Sequence, residues 1–227
     1  MMNIARSLST RAEFCVVVFV GFGYFFLANA LYLLYPSTEP ALTNAGLQEL
    51  ITFELVALLV LASLLYARGW RAARLGSPFA FSDLVIAVAL TLAAYYSSVL
   101  TTLAAVAIDS NIVEKIDVAN FVGNDIRIQN LVAVSIVNPI FEEVLLCGYI
   151  VTVVNERRGF WFAVNVSVAI RLACHLYQGP VGVLSILPLG FLFTYWYART
   201  RRIWPLVLAH AALDALGLWP YLADNVV

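Results

Sequence analysis

The sequence predicts an all-α fold, a polytopic membrane bundle of about seven transmembrane helices. Three observations carry that reading. Hydrophobic residues fill 63% of the 227 positions and charged residues only 12%, against about 45–50% and about 25% in a soluble domain. The apolar residues fall into runs near the length a bilayer demands, about 20 residues each. The arginines sort to alternate ends of those runs.

The first run covers about 13–35 and the second about 46–67. Arg6 and Arg11 precede the first, which is longer than a signal-peptide core and lacks a small-residue cleavage site, so it reads as a retained span. The third, about 82–108, opens on the helix-start signal Ser82-Asp83. Further runs lie at about 129–154, 159–177, 181–198 and 203–222, with Gln178-Gly179-Pro180 separating the fifth from the sixth. No repeat, low-complexity tract or soluble region interrupts them, so residues 1–227 read as a single membrane domain.

Seven crossings put Arg6, Arg11, Arg68, Arg71, Arg74, Arg157, Arg158, Arg199, Arg201 and Arg202 at one face, and Lys115 and Arg127 at the other. Adding or losing one span would scatter these charges. The positive-inside bias places the arginine-rich face and the N-terminus in the cytoplasm and the C-terminus outside. Arginine-rich, lysine-poor usage and small size point to a bacterial inner membrane. The loop 109–127 is net acidic through Asp109, Glu114, Asp117 and Asp125, and reads as a solvated connection rather than a lid. A net charge of −1, with no basic patch and no stacking motif, gives no sign of a nucleic-acid partner. Cys15, Cys147 and Cys174 all fall in apolar runs, odd in number and irregular in spacing, and read as small hydrophobes.

The chemistry lies in the last four runs. Ionisable groups at membrane depth are costly and default to function with named partners. Both histidines of the chain, His175 and His210, sit in such runs. His210 and Asp214 are four apart, on one helix face, so the acid can orient the imidazole or both can face a common ligand; a pair that only ties helices together is the plainer alternative. Arg171 and His175 are also four apart. A guanidinium stays charged, so Arg171 requires a carboxylate, and Glu142 or Glu143 is the expected partner; snorkelling to an interface is the alternative. The adjacent acids Glu142 and Glu143 should point about 100° apart on a helix of 3.6 residues per turn, one facing a water-filled cavity and the other a cation. Asn138 and Pro139 lie one turn earlier, and the proline should kink the helix beside the acids. Glu49 and Glu54 in the second run are less informative; Glu54 is deep enough to join the polar core.

These residues, in this order, resemble the CAAX protease and bacteriocin-processing (CPBP, or Abi) family of intramembrane endopeptidases, which includes the type II CAAX prenyl endopeptidases. That family's Glu-Glu-x-x-x-Arg motif corresponds to Glu142-Glu143-Val-Leu-Leu-Cys147, its Phe-x-x-x-His to Arg171-Leu-Ala-Cys-His175, and its His-x-x-x-Asn/Asp to His210-Ala-Ala-Leu-Asp214. The resemblance covers 129–222, the expected motif-bearing core; the earlier spans match only in being hydrophobic. Two positions depart from the pattern. Cys147 replaces the first-motif Arg and Arg171 the second-motif Phe, as if the cation had moved from the fourth span to the fifth.

The resemblance implies hydrolysis of a peptide bond of a membrane protein or peptide, with the bilayer as the other partner. Glu142 would be general base on a water, His175 would position it, and His210 with Asp214 would meet the oxyanion or orient the scissile carbonyl; Glu143 belongs with these catalytic residues, and Arg171 and Asn138 support them. No cofactor is certain. A divalent metal such as zinc on Glu142, His175 and His210 is the candidate, although ligands spread one per helix lack the compact HExxH spacing. A non-catalytic immunity or scaffold protein and a proton-coupled transporter are the competing classes. One conflict stands at this level. By helical rise, His175 falls near the outer end of its span and His210 about a third of the way up from the cytoplasmic side, with Glu142 between them.

Overall fold

The computed structural model describes residues 8–35, 40, 42–108, 122–123 and 125–223. Arg6 and most of the acidic loop, including Lys115, lie outside them. The described residues contain helices and turns and no strand. The chain runs through α1 (Thr10–Leu34), α2 (Asn44–Ala67), α3 (Ser82–Ile108), α4 (Ile128–Glu142), a π-helical stretch (Glu143–Val151), α5 (Thr152–Arg158), α6 (Phe160–Cys174), α7 (Gly179–Thr200) and α8 (Trp204–Leu218). Side chains close the first turns of α1 and α2: Ser9 accepts from the Ala12 N–H and Thr43 from the Gly46 N–H. At the Ser82-Asp83 start of α3, the Asp83 carboxylate accepts from the Ala80 N–H.

Among the described residues, seven helical segments alternate in direction, as expected. Contacts fix which ends lie together. At one end Arg68 pairs with Glu13, Arg74 with Glu156 and Arg202 with Asp83, while Arg199 stacks over Phe160. At the other end Asn44 accepts from the Arg127 N–H, and Ile126 bridges to the segment after α8 through Tyr221 and Ala223. Nine described arginines gather at the first end, and only Arg127 sits at the second.

Five of the segments are long and apolar enough to cross a membrane: Thr10–Leu34, Asn44–Ala67, Ser82–Ile108, Ile128–Arg158 and Leu176–Thr200. The expected fifth and seventh spans are shorter, because α6 and α8 have 15 residues each. That is about 22 Å of helix against about 30 Å of hydrocarbon. α6 stops at Cys174, where the chain turns through His175 into a single turn of 3₁₀ helix at Leu176–Gln178. α8 starts deep. Ile203, just before it, packs on Gly148, ten positions inside the Arg158 end of its helix. The two short helices carry the polar motifs.

This staggering removes the conflict in depth. Ser167 on α6 donates to the Leu146 carbonyl at 3.1 Å, so those positions are level; four residues further on lie Arg171 and, running the other way, Glu142. Ile203 is level with Gly148, and seven residues on from it lies His210, while six back from Gly148 lies Glu142. The three motifs therefore share one depth.

A Cβ at Gly148 would lie 3.2 Å from Ile203 Cδ1 and 3.5 Å from Leu75 Cδ2. Gly148→Leu is expected to overpack this joint at a cost of about 1–3 kcal/mol, read as a lower thermal midpoint of the detergent-purified protein. An unchanged midpoint would contradict the start of α8 at that level.

Candidate active site

The site is built around a change of helix type. Pro139 lacks the N–H that would bond the Ser135 carbonyl, and one turn later the helix widens into i→i+5 hydrogen bonding from Glu143 to Val151. Glu142 is the last α-helical residue and Glu143 the first of the wider stretch. Their carboxylates converge on one guanidinium, which regular helical spacing did not predict. Arg171 donates from NH1 to Glu142 Oε2 at 2.8 Å and from NH2 to Glu143 Oε1 at 2.7 Å. Arg171 is 1% exposed, so snorkelling is excluded and the expected pairing with the motif acids is met by both of them.

The two acids differ on their remaining sides. Glu143 is fully buried; its Oε1 also accepts from His210 Nδ1 at 2.8 Å, and its Oε2 accepts from the Cys147 thiol at 3.2 Å. Glu142 turns its free Oε1 toward His175 Nε2 at 3.9 Å, too long for a direct hydrogen bond. His175 Nδ1 lies 2.8 Å from the Arg171 carbonyl, an acceptor only, so the proton sits on Nδ1 and the Nε2 lone pair faces Glu142. His210 Nε2 lies 3.5 Å from Asp214 Oδ1, and Asp214 Oδ2 has no protein partner among the described residues. An imidazole between Glu143 and Asp214 thus has an acceptor beside each ring nitrogen.

A cavity of about 280 Å³ lies against these groups. Asn138, Glu142, His175, His210 and Asp214 face it, while Glu143 and Arg171 sit behind its wall. The structure brings every motif residue to this one place.

Spans outside the motif region contribute as well. Asn29 on α1 donates to the Cys174 carbonyl at 3.0 Å and accepts from the Tyr177 N–H, clamping the turn that carries His175. Sequence reading passed over it; the available signal was a polar side chain deep in an apolar run. Glu54 on α2 is fully buried and accepts from Asn138 Nδ2 at 2.7 Å, so it joins the polar core. Glu49 plays no part in these contacts.

The donor atoms of Glu142, Glu143 and His210 lie within 4.8 Å of one another, a spacing that would suit a metal ion, and His175 is not in that group. The position between the two carboxylates is already filled by the Arg171 guanidinium, which supplies the positive charge a metal would bring. Arg171 bonds one oxygen of each acid, Glu142 Oε2 and Glu143 Oε1, and His175 stands outside the group.

Comparison with known proteins agrees with the motifs. Residues 125–216 match the family model described as Type II CAAX prenyl endopeptidase Rce1-like. A provisionally designated membrane peptidase, YdiL of Bacillus subtilis (strain 168), is 33% identical over 84 residues. That alignment covers 37% of this chain and 34% of the relative, so the chain matches about a third of the length of its curated relative. No solved structure matches. The resemblance read from the three motifs is thereby borne out over the part of the chain that carries them.

Replacing Arg171 by Phe strands two buried carboxylates and should cost about 3–5 kcal/mol. The double replacement Cys147→Arg with Arg171→Phe returns a cation four residues from Glu143 and should recover much of the loss. Folded yield and thermal midpoint measure both; no recovery would count against the relocation of the cation.

Proposed function

We propose that the chain is an intramembrane endopeptidase that hydrolyses a peptide bond of a membrane-associated protein or peptide with a water activated by Glu142. One observation carries this reading. The free oxygen of Glu142 and the Nε2 lone pair of His175 face each other at 3.9 Å on the cavity wall, two acceptors with no protein donor between them among the described residues. A water is the natural bridge, because its two hydrogens satisfy both acceptors. Two acceptors also align its lone pair for attack.

The steps follow from what each group holds. Glu142 takes a proton from the water as the oxygen attacks the scissile carbonyl carbon. The carbonyl π pair moves onto oxygen, and the resulting oxyanion is met by the Nε2–H of doubly protonated His210, whose Nδ1–H stays on Glu143. Protonated Glu142 then delivers its proton to the leaving amine as the C–N bond breaks. Asp214, 3.5 Å from Nε2, stabilises the positive charge of the imidazole and leaves Nε2–H for the oxyanion, and Arg171 keeps Glu142 in place without filling its reactive oxygen. No step calls for a metal, and the guanidinium between the carboxylates supports that reading.

The absent first-motif arginine would favour a non-catalytic partner if the acids lacked a cation. Arg171 supplies one, so the catalytic reading stands better. A proton-coupled carrier has less support in seven crossings without a repeat.

Wild type and Glu142→Gln, purified in detergent, should be incubated with a solubilised membrane proteome and new peptide termini counted by mass spectrometry. Loss of the base is expected to lower cleavage by about 10²–10⁴-fold, and a chelator should leave the wild-type profile unchanged. Identical profiles from two folded proteins would overturn the enzyme reading, and chelator sensitivity would overturn the metal-free one. Asn29→Leu releases the turn that aims His175 and should slow cleavage on the order of 10²-fold while the protein stays folded. Full activity in that variant would show that the clamp does not position the histidine.

A further inference from the structure

The cavity runs from the acids toward the arginine-poor end of the bundle, where its lining residue Gly217 is exposed. Leu42, Leu47, Val122 and Leu218 also line that end, and Leu47, Val122 and Leu218 are buried in a small apolar cluster against which Leu42 packs. All of these lie at the end marked by Asn44, Arg127 and Tyr221, away from the arginines. At the opposite end, the helix termini are tied by Arg68 to Glu13, Arg74 to Glu156 and Arg202 to Asp83. On that side Leu146, Cys147 and Ile150, all buried, lie beneath the acids.

Nine described arginines at one end against one at the other is a strong charge asymmetry over short loops. Such loops stay in the cytoplasm. From these two observations, and resting on the endopeptidase reading above, we infer that the site is reached from the outer, non-cytoplasmic side. Its substrate class is then an apolar peptide segment presented at the outer leaflet, such as the outward end of a membrane helix or an exported hydrophobic peptide. Cytoplasmic proteins with prenylated C-termini meet the membrane at the other face and are excluded as substrates of this site.

Depth agrees with the chemistry. Glu142 lies 14 residues from Ile128 and 16 from Arg158, near the middle of its helical segment. A scissile bond must descend about 20 Å from the outer end to reach it. The wall on that side is an apolar cluster of Leu42, Leu47, Leu50, Val134 and Leu218, so an apolar segment that parts it strands no polar groups. α6 stops at Cys174, short of that end.

The test uses the full chain in the inner membrane of a bacterial host, with Cys15 replaced by Ser; Cys147 and Cys174 are buried. Gly217→Cys places a thiol at the mouth, where an added Cβ meets nothing within 4 Å. Ser77→Cys places one on the exposed turn at the arginine end. A membrane-impermeant maleimide applied to intact spheroplasts should label Gly217→Cys at once and Ser77→Cys only after lysis. The inverse pattern, or equal labelling of both before lysis, overturns the outward-facing assignment. Labelling does not depend on cleavage. Outward labelling with no Glu142-dependent termini would defeat the endopeptidase reading alone, and inverted labelling with those termini present would defeat the outward face alone.

Discussion

A buried guanidinium organises this protein. Arg171 is almost wholly buried in a bundle that must lie in hydrocarbon, where an unpaired charge is costly. Its charge is met by two carboxylates that accept from different nitrogens, and the rest of the site follows from how those acids are held. Glu143 uses the oxygen that accepts from Arg171 to hold His210 as well. Glu142 is anchored by one oxygen, which leaves the other toward the cavity. The backbone of Arg171 fixes the tautomer of His175. One residue thus sets two acids directly, one histidine through its carbonyl and another through Glu143.

The bundle has to bring that cation to the acids at a single depth, and it does so by giving up helix length where the chemistry is. A full-length span at α8 would start level with Arg158 and carry His210 far below Glu142. Starting instead at Gly148, where the absence of a side chain admits Ile203, it lifts His210 to the acids. The cost is a set of helix termini within the bundle, and the protein satisfies them with side chains. Asn29 bonds both strands of the turn after α6. Arg201 donates to Thr152 and to the Arg74 carbonyl beside the start of α8. These polar ties in otherwise apolar surroundings stabilise the ends that make a site possible at mid-membrane.

Much of this was legible from residues alone. Seven apolar runs and alternating arginines predicted the crossings, because both reflect rules that act locally along the chain. The three motifs predicted which side chains meet, and the need of Arg171 for a carboxylate predicted its partner. Helix length was not legible: nothing in PLVLAHAALDALG marks a deep start, since the cause is Gly148 on another segment. Nor was the π-helical stretch, so Glu142 and Glu143 were expected to diverge more than they do. Asn29 and the Asn138–Glu54 bond were missed or left open for the same reason. Each depends on a contact between segments far apart in sequence, and the first two spans offered no motif to point there.

The relocated cation has a consequence beyond charge balance. An arginine at position 147 would share the segment of the acids it serves, so neutralising them would place no demand on α6. With the cation on α6, the ion pairs also bind α6 to the acids, and His175 stands four residues beyond Arg171 on that helix. Neutralising the acids and positioning the histidine become one event. The thiol of Cys147, still donating to Glu143, marks the direction from which a cation on the same helix would have come. The departures at 147 and 171 are therefore a rearrangement that keeps the site's charge balance and adds a mechanical link between the acids and His175.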